Sequence, residues 1–293
     1  MLKQRIITGL VLAPLTLACV YFLGAEAFAI FCSIVILIGA WEWGPLMGLT
    51  SNINRVVFMV VISIIMALLA VVAPVTAMWG SLDNGLTPLY QNILLVAALW
   101  WLVAAFLVYS YPNNSGLWRD NMLVKGLIGV LTLIPAWIAF IAIRTLNIDS
   151  EPYFGAHLLF ASLSIVWAAD VGAYFCGKRF GKHKLMPKVS PNKTLEGFFG
   201  GLVCVAVLAL LINVAFVSGD SENVFGSVPV LLVIAIVTAI VSAVGDLNES
   251  MLKRAAGIKD TGTILPGHGG LLDRIDSLVA ATPIFILLYI FLV

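Results

Sequence analysis

The chain has 293 residues; 61% are apolar and only 31 are charged, 16 basic and 15 acidic. Soluble domains of this size run about 45–50% apolar and about 25% charged, so an ordinary soluble globular protein and a disordered chain are both excluded. The net charge of +1 leaves no basic surface for a nucleic-acid partner.

What remains is a polytopic membrane protein. A spanning helix needs about 20 largely apolar residues. Nine stretches qualify: 6–23, 27–47, 56–79, 89–109, 122–143, 156–175, 197–217, 228–247 and 277–293. None alternates polar and apolar residues as a membrane β-barrel strand does. The expected fold is an all-α polytopic integral membrane protein of about nine transmembrane helices.

Basic residues orient such a bundle. Lys3 and Arg5 precede span 1, Arg55 follows span 2, and Arg119 and Lys125 flank the junction of spans 4 and 5. Lys178, Arg179, Lys182, Lys184, Lys188 and Lys193 lie between spans 6 and 7, and Lys253, Arg254, Lys259 and Arg274 between spans 8 and 9. With nine spans, 15 of the 16 basic residues share one side and Arg144 alone lies opposite. The N-terminus is therefore expected in the cytoplasm and the C-terminus outside. Span 1, with Ala25-Glu26-Ala27 after it, has the layout of a signal peptide. Its long apolar stretch and the immediate next span favour an uncleaved anchor.

Span 2 carries Glu42 between Trp41 and Trp43. Glu42 is either a helix-pairing polar group or a site residue. The other tryptophans, Trp79, Trp100, Trp101, Trp118 and Trp137 among them, read as an interface belt. Cys19, Cys32, Cys176 and Cys204 read as small buried hydrophobes, and the three histidines are too scattered for a zinc motif.

Residues 170–196 and 246–276 together hold 17 of the 31 charges. Positive-inside loops account for the lysines but not for carboxylates at span ends, where burial is costly. Asp170 lies inside span 6. Asp246 ends span 8, and if that helix runs on, Glu249, Ser250 and Lys253 share its face at i+3, i+4 and i+7. A structural ion pair between Asp246 and a lysine is the plainer alternative. The run Pro266-Gly267-His268-Gly269-Gly270 marks a tight loop whose N–H groups could cradle phosphate. Asp273 and Asp276 follow on one helical face, beside Arg274. Three carboxylates closed by one loop suit Mg²⁺, and the surrounding cations suit a polyphosphate. Upstream, Ser190, Lys193 and Glu196 are favoured as site residues. Lys178, Arg179, Lys182 and Lys184 divide between that role and an anionic-lipid patch. Together these features suggest metal-assisted phosphoryl or nucleotidyl transfer at a membrane face. Residues 1–150 are then N-terminal membrane helices (spans 1–5), and 151–293 a catalytic membrane region with loops 176–196 and 248–276.

Ser250-Met251-Leu252-Lys253-Arg254, Lys259-Asp260, Pro266-Gly267-His268-Gly269-Gly270 and Asp273-Arg274-Ile275-Asp276 together resemble the signature of the phosphatidate cytidylyltransferases, also called CDP-diacylglycerol synthases. Residues 170–197 also resemble that family, departing from it at Val171, Asn192 and Leu195. The resemblance implies joining of CTP and phosphatidic acid to give CDP-diacylglycerol and pyrophosphate, with Mg²⁺, in phospholipid biosynthesis. It implies Asp246 and Asp273 as metal ligands supported by Asp276, in a paired-cation centre that K⁺ can share. Lys253, Arg254, Lys259 and Arg274 would neutralise the triphosphate. Ser250, Asp260, His268, Gly269 and Gly270 complete the expected nucleotide and phosphate site, and Asp170, Ser190, Lys193 and Glu196 the lipid-headgroup side. The expected setting is multi-pass in the bacterial inner membrane, with the active site cytoplasmic; a homodimer is left open. The rivals are a secondary transporter with an intramembrane acidic site and a related lipid nucleotidyltransferase or kinase acting on a different lipid.

Overall fold

Local signals set several helix ends. The computed structural model describes residues 2–79, 85–217 and 224–293. The helices are α1 (Leu2–Phe22), α2 (Ala25–Met47), α3 (Asn52–Val72), α4 (Pro88–Ser110), α5 (Met122–Thr145), α6 (Phe154–Phe180), α7 (Leu195–Val217), α8 (Val228–Ala256), α9 (Leu272–Ile275) and α10 (Leu278–Leu292). Ser51 caps α3 by accepting the Ile53 N–H, and Asn121 caps α5 by accepting those of Leu123 and Val124. α2 and α8 stop at Gly48 and Gly257, whose φ values of 86° and 70° are the left-handed turn that glycine takes without strain.

Eight described stretches are long and apolar enough to cross a membrane, the last running from Leu272 through α9 and α10 to Leu292. The first of the nine expected spans is a shorter apolar helix, Thr8–Phe22, within α1. The side chains of Lys3 and Arg5 lie outside the described residues.

Three boundaries differ from expectation. The third helix starts at Asn52 and ends at Val72 rather than spanning 56–79, because Pro74 holds Ala73 in an extended conformation. α6 continues to Phe180 and α8 to Ala256, both beyond their apolar stretches. Between α6 and α7, where a loop was expected, an antiparallel hairpin pairs β1 (Lys184–Met186) with β2 (Ser190–Thr194), Lys184 opposite Thr194 and Met186 opposite Ser190.

α5 is the central helix, with α2, α3, α4, α6 and α10 against it. α6 and α7 form the closest pair, packing Gly172 on Cys204 and Gly200 on Cys176. Among the cysteines only Cys32 is fully buried; Cys204 is exposed, and all four are free thiols. The tryptophan belt needs correcting: Trp100, Trp101, Trp118 and Trp137 are buried inside the bundle. Trp137 donates to Ser33 Oγ at 2.9 Å, and Trp43 to the Lys125 carbonyl at 3.0 Å. An internal acceptor replaces water for these two indoles, whereas Trp100 Nε1 and Trp101 Nε1 are buried with no partner among the described residues.

α1 is tied at both ends. Thr8 Oγ1 donates to the Pro266 carbonyl at 3.1 Å. At the other end, Arg144 donates to the carbonyls of Val20, Leu23 and Pro152 at 2.5, 3.0 and 3.3 Å. The glycine-rich loop and Arg144 therefore lie toward opposite ends of α1. Ala25-Glu26-Ala27 lies in the first turn of α2, followed by the buried Phe28.

Candidate active site

The continuation of α8 brings its polar residues onto one face. Ser250 Oγ donates to Asp246 Oδ1 at 3.3 Å, and Lys253 Nζ reaches Glu249 Oε1 at 3.0 Å. The same ammonium meets Asp273 Oδ1, across on α9, at 2.8 Å. Lys253 is thus shared by two carboxylates, each with a side chain only 4% exposed. Buried carboxylates at this spacing require such a counter-charge.

Asp246 has a partner that spacing does not show. Lys193 Nζ, on β2, lies 2.6 Å from Asp246 Oδ2. The hairpin that carries Lys193 is braced twice. Glu196, in the first turn of α7, accepts the Lys182 N–H at 3.0 Å and the His183 N–H at 3.2 Å, and pairs with His183 Nδ1 at 2.6 Å. Arg254 Nε donates to the carbonyl of Val189, a residue buried at the hairpin turn.

Asp170, Lys193 and Asp246 stand at one wall of a cavity of about 560 Å³ between α6, α7, α8 and the hairpin. Its other lining is largely apolar, including Ala169, Ala173, Phe198, Leu202, Ala239 and Ala243. Lys178 and Asn192 also face it. The apolar sides suit the tails of an amphiphile, and Lys178 and Lys193 offer an anionic head its cations, with Asp170 and Asp246 needing a cation to offset them.

The second half of the site is the segment from Asp260 to Asp276. Asp273 Oδ2 accepts the N–H groups of Thr261 at 3.0 Å and Gly270 at 2.9 Å. The His268 N–H bonds the Leu265 carbonyl at 2.9 Å. The loop expected to cradle phosphate therefore turns the amides of His268 and Gly270 inward, because Leu265 and the Asp273 carboxylate are local acceptors. Arg274 wraps back on the same loop, its Nε and Nη2 donating to the His268 carbonyl at 3.0 and 2.7 Å. His268 Nδ1 is buried with no hydrogen-bond partner. Gly269, at φ 84°, sits over Asp273 and Asp260. Lys259 and Asp260 are exposed at the rim, and Ser190 is half-buried on β2.

Asp276 closes the arrangement. α8 and α10 cross where a Cβ on Gly245 would stand 2.5 Å from the Asp276 carbonyl and 2.6 Å from Ala280 Cβ. That contact places Asp276 within electrostatic range of Asp246, Lys253 and Lys193. Its Oδ1 accepts the adjacent Ser277 N–H at 2.8 Å.

The donor set around Asp246, Asp273 and Asp276 is carboxylate oxygen, the chemistry of a hard cation such as Mg²⁺. Two ammonium groups, Lys193 and Lys253, now supply the positive charge there. No group of three or more His, Cys, Asp or Glu stands at ligand spacing among the described residues. Mg²⁺ sites commonly use one or two carboxylates and take their remaining ligands from substrate phosphates, so these residues fit such an ion.

Sequence reasoning left Glu42 undecided, and the structure sets it behind the loop. It is 1% exposed, and its Oε2 accepts the Leu272 N–H at 2.7 Å. A lone acid in an apolar span was the available signal, and it carries no information about which loop the acid meets.

Comparison with known proteins gives the arrangement a lineage. A protein of Pseudomonas aeruginosa named phosphatidate cytidylyltransferase is 41% identical over 285 residues, covering 97% of this chain and 96% of its own length. One of the same name from Haemophilus influenzae is 37% identical over 295 residues, covering 99% of each. A Staphylococcus aureus protein of that name is 34% identical over 225 residues, 69% of this chain. The profile of the cytidylyltransferase family matches residues 3–292, and with it the helices, the hairpin and the loop just described: the chain belongs to the cytidylyltransferase family.

Proposed function

We propose that the protein transfers the cytidylyl group of CTP to phosphatidic acid, forming CDP-diacylglycerol and pyrophosphate in phospholipid biosynthesis. Family membership supports the nucleotide chemistry. The observation that carries the lipid substrate is the cavity whose charged wall is Asp170, Lys193 and Asp246 and whose sides are apolar. A phosphomonoester headgroup would meet Lys193 and Lys178 there, while its acyl chains leave along α6 and α7.

An oxygen of the lipid phosphate attacks the α-phosphorus of CTP. The bond from that phosphorus to the β-bridging oxygen breaks, and pyrophosphate departs with the electron pair. A phosphomonoester is largely ionised near neutral pH, so no general base is required. Lys253, Arg254, Lys259 and Arg274 surround the place where leaving-group charge develops, where fixed cations are most effective. For Arg274 and Arg254 to touch phosphate, they must leave the carbonyls of His268 and Val189. Mg²⁺ held by Asp246 and Asp273, with Asp276 in support and K⁺ as a companion ion, would offset triphosphate charge. Lys193 and Lys253 then exchange their carboxylate partners for phosphate oxygens. The shared end of Thr8, the hairpin and the loop carries the basic residues, so the site faces the cytoplasm of the bacterial inner membrane, with the N-terminus on that side and the C-terminus outside.

The test is incorporation of labelled CTP into lipid by purified protein in mixed micelles holding phosphatidic acid, with Mg²⁺ titrated from a chelated start. The expected product is labelled CDP-diacylglycerol in amounts that rise with Mg²⁺. Substrate binding without labelled lipid would sink the assignment and favour a transporter.

A further inference from the structure

Glu42 lies about three-quarters of the way along α2, remote in sequence from the loop it touches. The backbone wraps its carboxylate from both sides. Oε2 accepts the Leu272 N–H at 2.7 Å. A Cβ on Gly270 would come within 2.7 Å of Oε2 and 2.5 Å of Thr261 Oγ1, and a Cβ on Gly262 would collide with Oε1. The loop strands at 261–262 and 270–272 thus close on one buried carboxylate. On their far side, the N–H groups of Thr261 and Gly270 converge on Asp273 Oδ2. The two acids share one short piece of backbone: Glu42 holds it from within the bundle, and Asp273 is held by it at the site.

We propose that Glu42 is a positioning residue, which fixes the 261–272 loop and through it the orientation of Asp273, and that Gly262 and Gly270 are small because they must admit its carboxylate. The inference rests on Asp273 serving the transfer reaction, but the loop geometry can be read without substrate. Buried acceptors that tie distant backbone in this way set the stability of a local segment rather than of the whole fold.

The experiment uses the purified full chain, with two readouts. One is kcat for CTP incorporation. The other, without substrate, is the rate of tryptic cleavage after Lys259, which is exposed at the loop's edge. Glu42→Ala is expected to lower kcat at least tenfold and to speed that cleavage at least fivefold. Glu42→Gln keeps an acceptor for the Leu272 N–H and is expected within threefold of wild type in both. Gly262→Ala, which displaces the carboxylate, should reproduce the loss, yet add less than twofold on top of Glu42→Ala, since coupled sites are not additive. Unchanged cleavage in Glu42→Ala, Glu42→Gln as damaged as Glu42→Ala, or costs that multiply in the double variant would each overturn the proposal. If Glu42→Ala cannot be purified folded, Gly262→Ala with wild-type cleavage overturns it alone. A wild-type protein that incorporates no CTP, with loop protection following this pattern, would remove the assigned reaction and leave the positioning intact.

Discussion

Lys253 shows how one side chain can carry both stability and chemistry. Its ammonium lies between Glu249 and Asp273, at 3.0 and 2.8 Å, and both carboxylates are nearly sealed from solvent. Removing one partner of a buried ion group leaves uncompensated charge and costs about 3–5 kcal/mol. Lys253→Met should therefore lower the unfolding temperature in detergent as well as abolish turnover. Adding Glu249→Gln should return much of the stability and none of the activity; recovery of activity in that double variant would remove Lys253 from the reaction. Asp246 is partly open, and among the described residues its carboxylate is bound by Lys193 and Ser250. Asp246→Asn is expected to fold normally and lose turnover at least tenfold, since the loss of cation-based charge stabilisation is worth several kcal/mol. Asp273→Asn should match it in the same CTP-incorporation assay. Lys184, on the outer strand of the hairpin, should tolerate alanine with little change in kcat.

At the scale of elements, the hairpin and α1 are each held by a few polar ties. The hairpin hangs on Glu196, Arg254 and Lys193. In Glu196→Ala the amides at 182 and 183 lose their acceptor and Lys193 loses its platform. The expected result is a higher KM for phosphatidic acid with a smaller change in kcat, and faster hydrogen exchange across 182–194; a change in kcat alone would separate the hairpin from lipid binding. Arg144 fastens the end of α1 through the carbonyls of Val20 and Leu23, and ties in the α5–α6 connection through that of Pro152. Buried acceptors left without donors cost about 1–3 kcal/mol each. Arg144→Ala should lower the unfolding midpoint while leaving CTP incorporation near wild type at low temperature.

Across the whole molecule, the site depends on where α8 and α10 cross. Gly245 permits the backbone at Asp276 to approach closely, and this brings Asp276 into range of Asp246. Gly245→Ala puts a methyl where the Asp276 carbonyl and Ala280 now stand, so the helices must separate. Close-packed interiors absorb such insertions poorly, at about 1–3 kcal/mol. Turnover should fall at least tenfold while the helical circular dichroism is retained; wild-type turnover would show that the crossing does not set the site.

The sequence by itself marked the apolar spans, though not the ends of α3, α6 and α8, and the residue types that lie on them. Hydropathy over about 20 residues marks a span, and the spacing of Asp246, Glu249, Ser250 and Lys253 puts them on one helical face because helical periodicity is local. The 170–197 and 250–276 motifs, each contiguous, carried the family resemblance. Tertiary structure alone decided the partners. Lys193 reaches from the hairpin to Asp246 on α8, Lys253 takes Asp273 as well as its neighbour Glu249, and the loop's amides close on Asp273. Glu42 meets Leu272, 230 residues further along the chain. The reason is physical: a side chain's type and period fix which face it lies on, but which charge it pairs with is set by how helices far apart in sequence cross, and nothing local records that crossing.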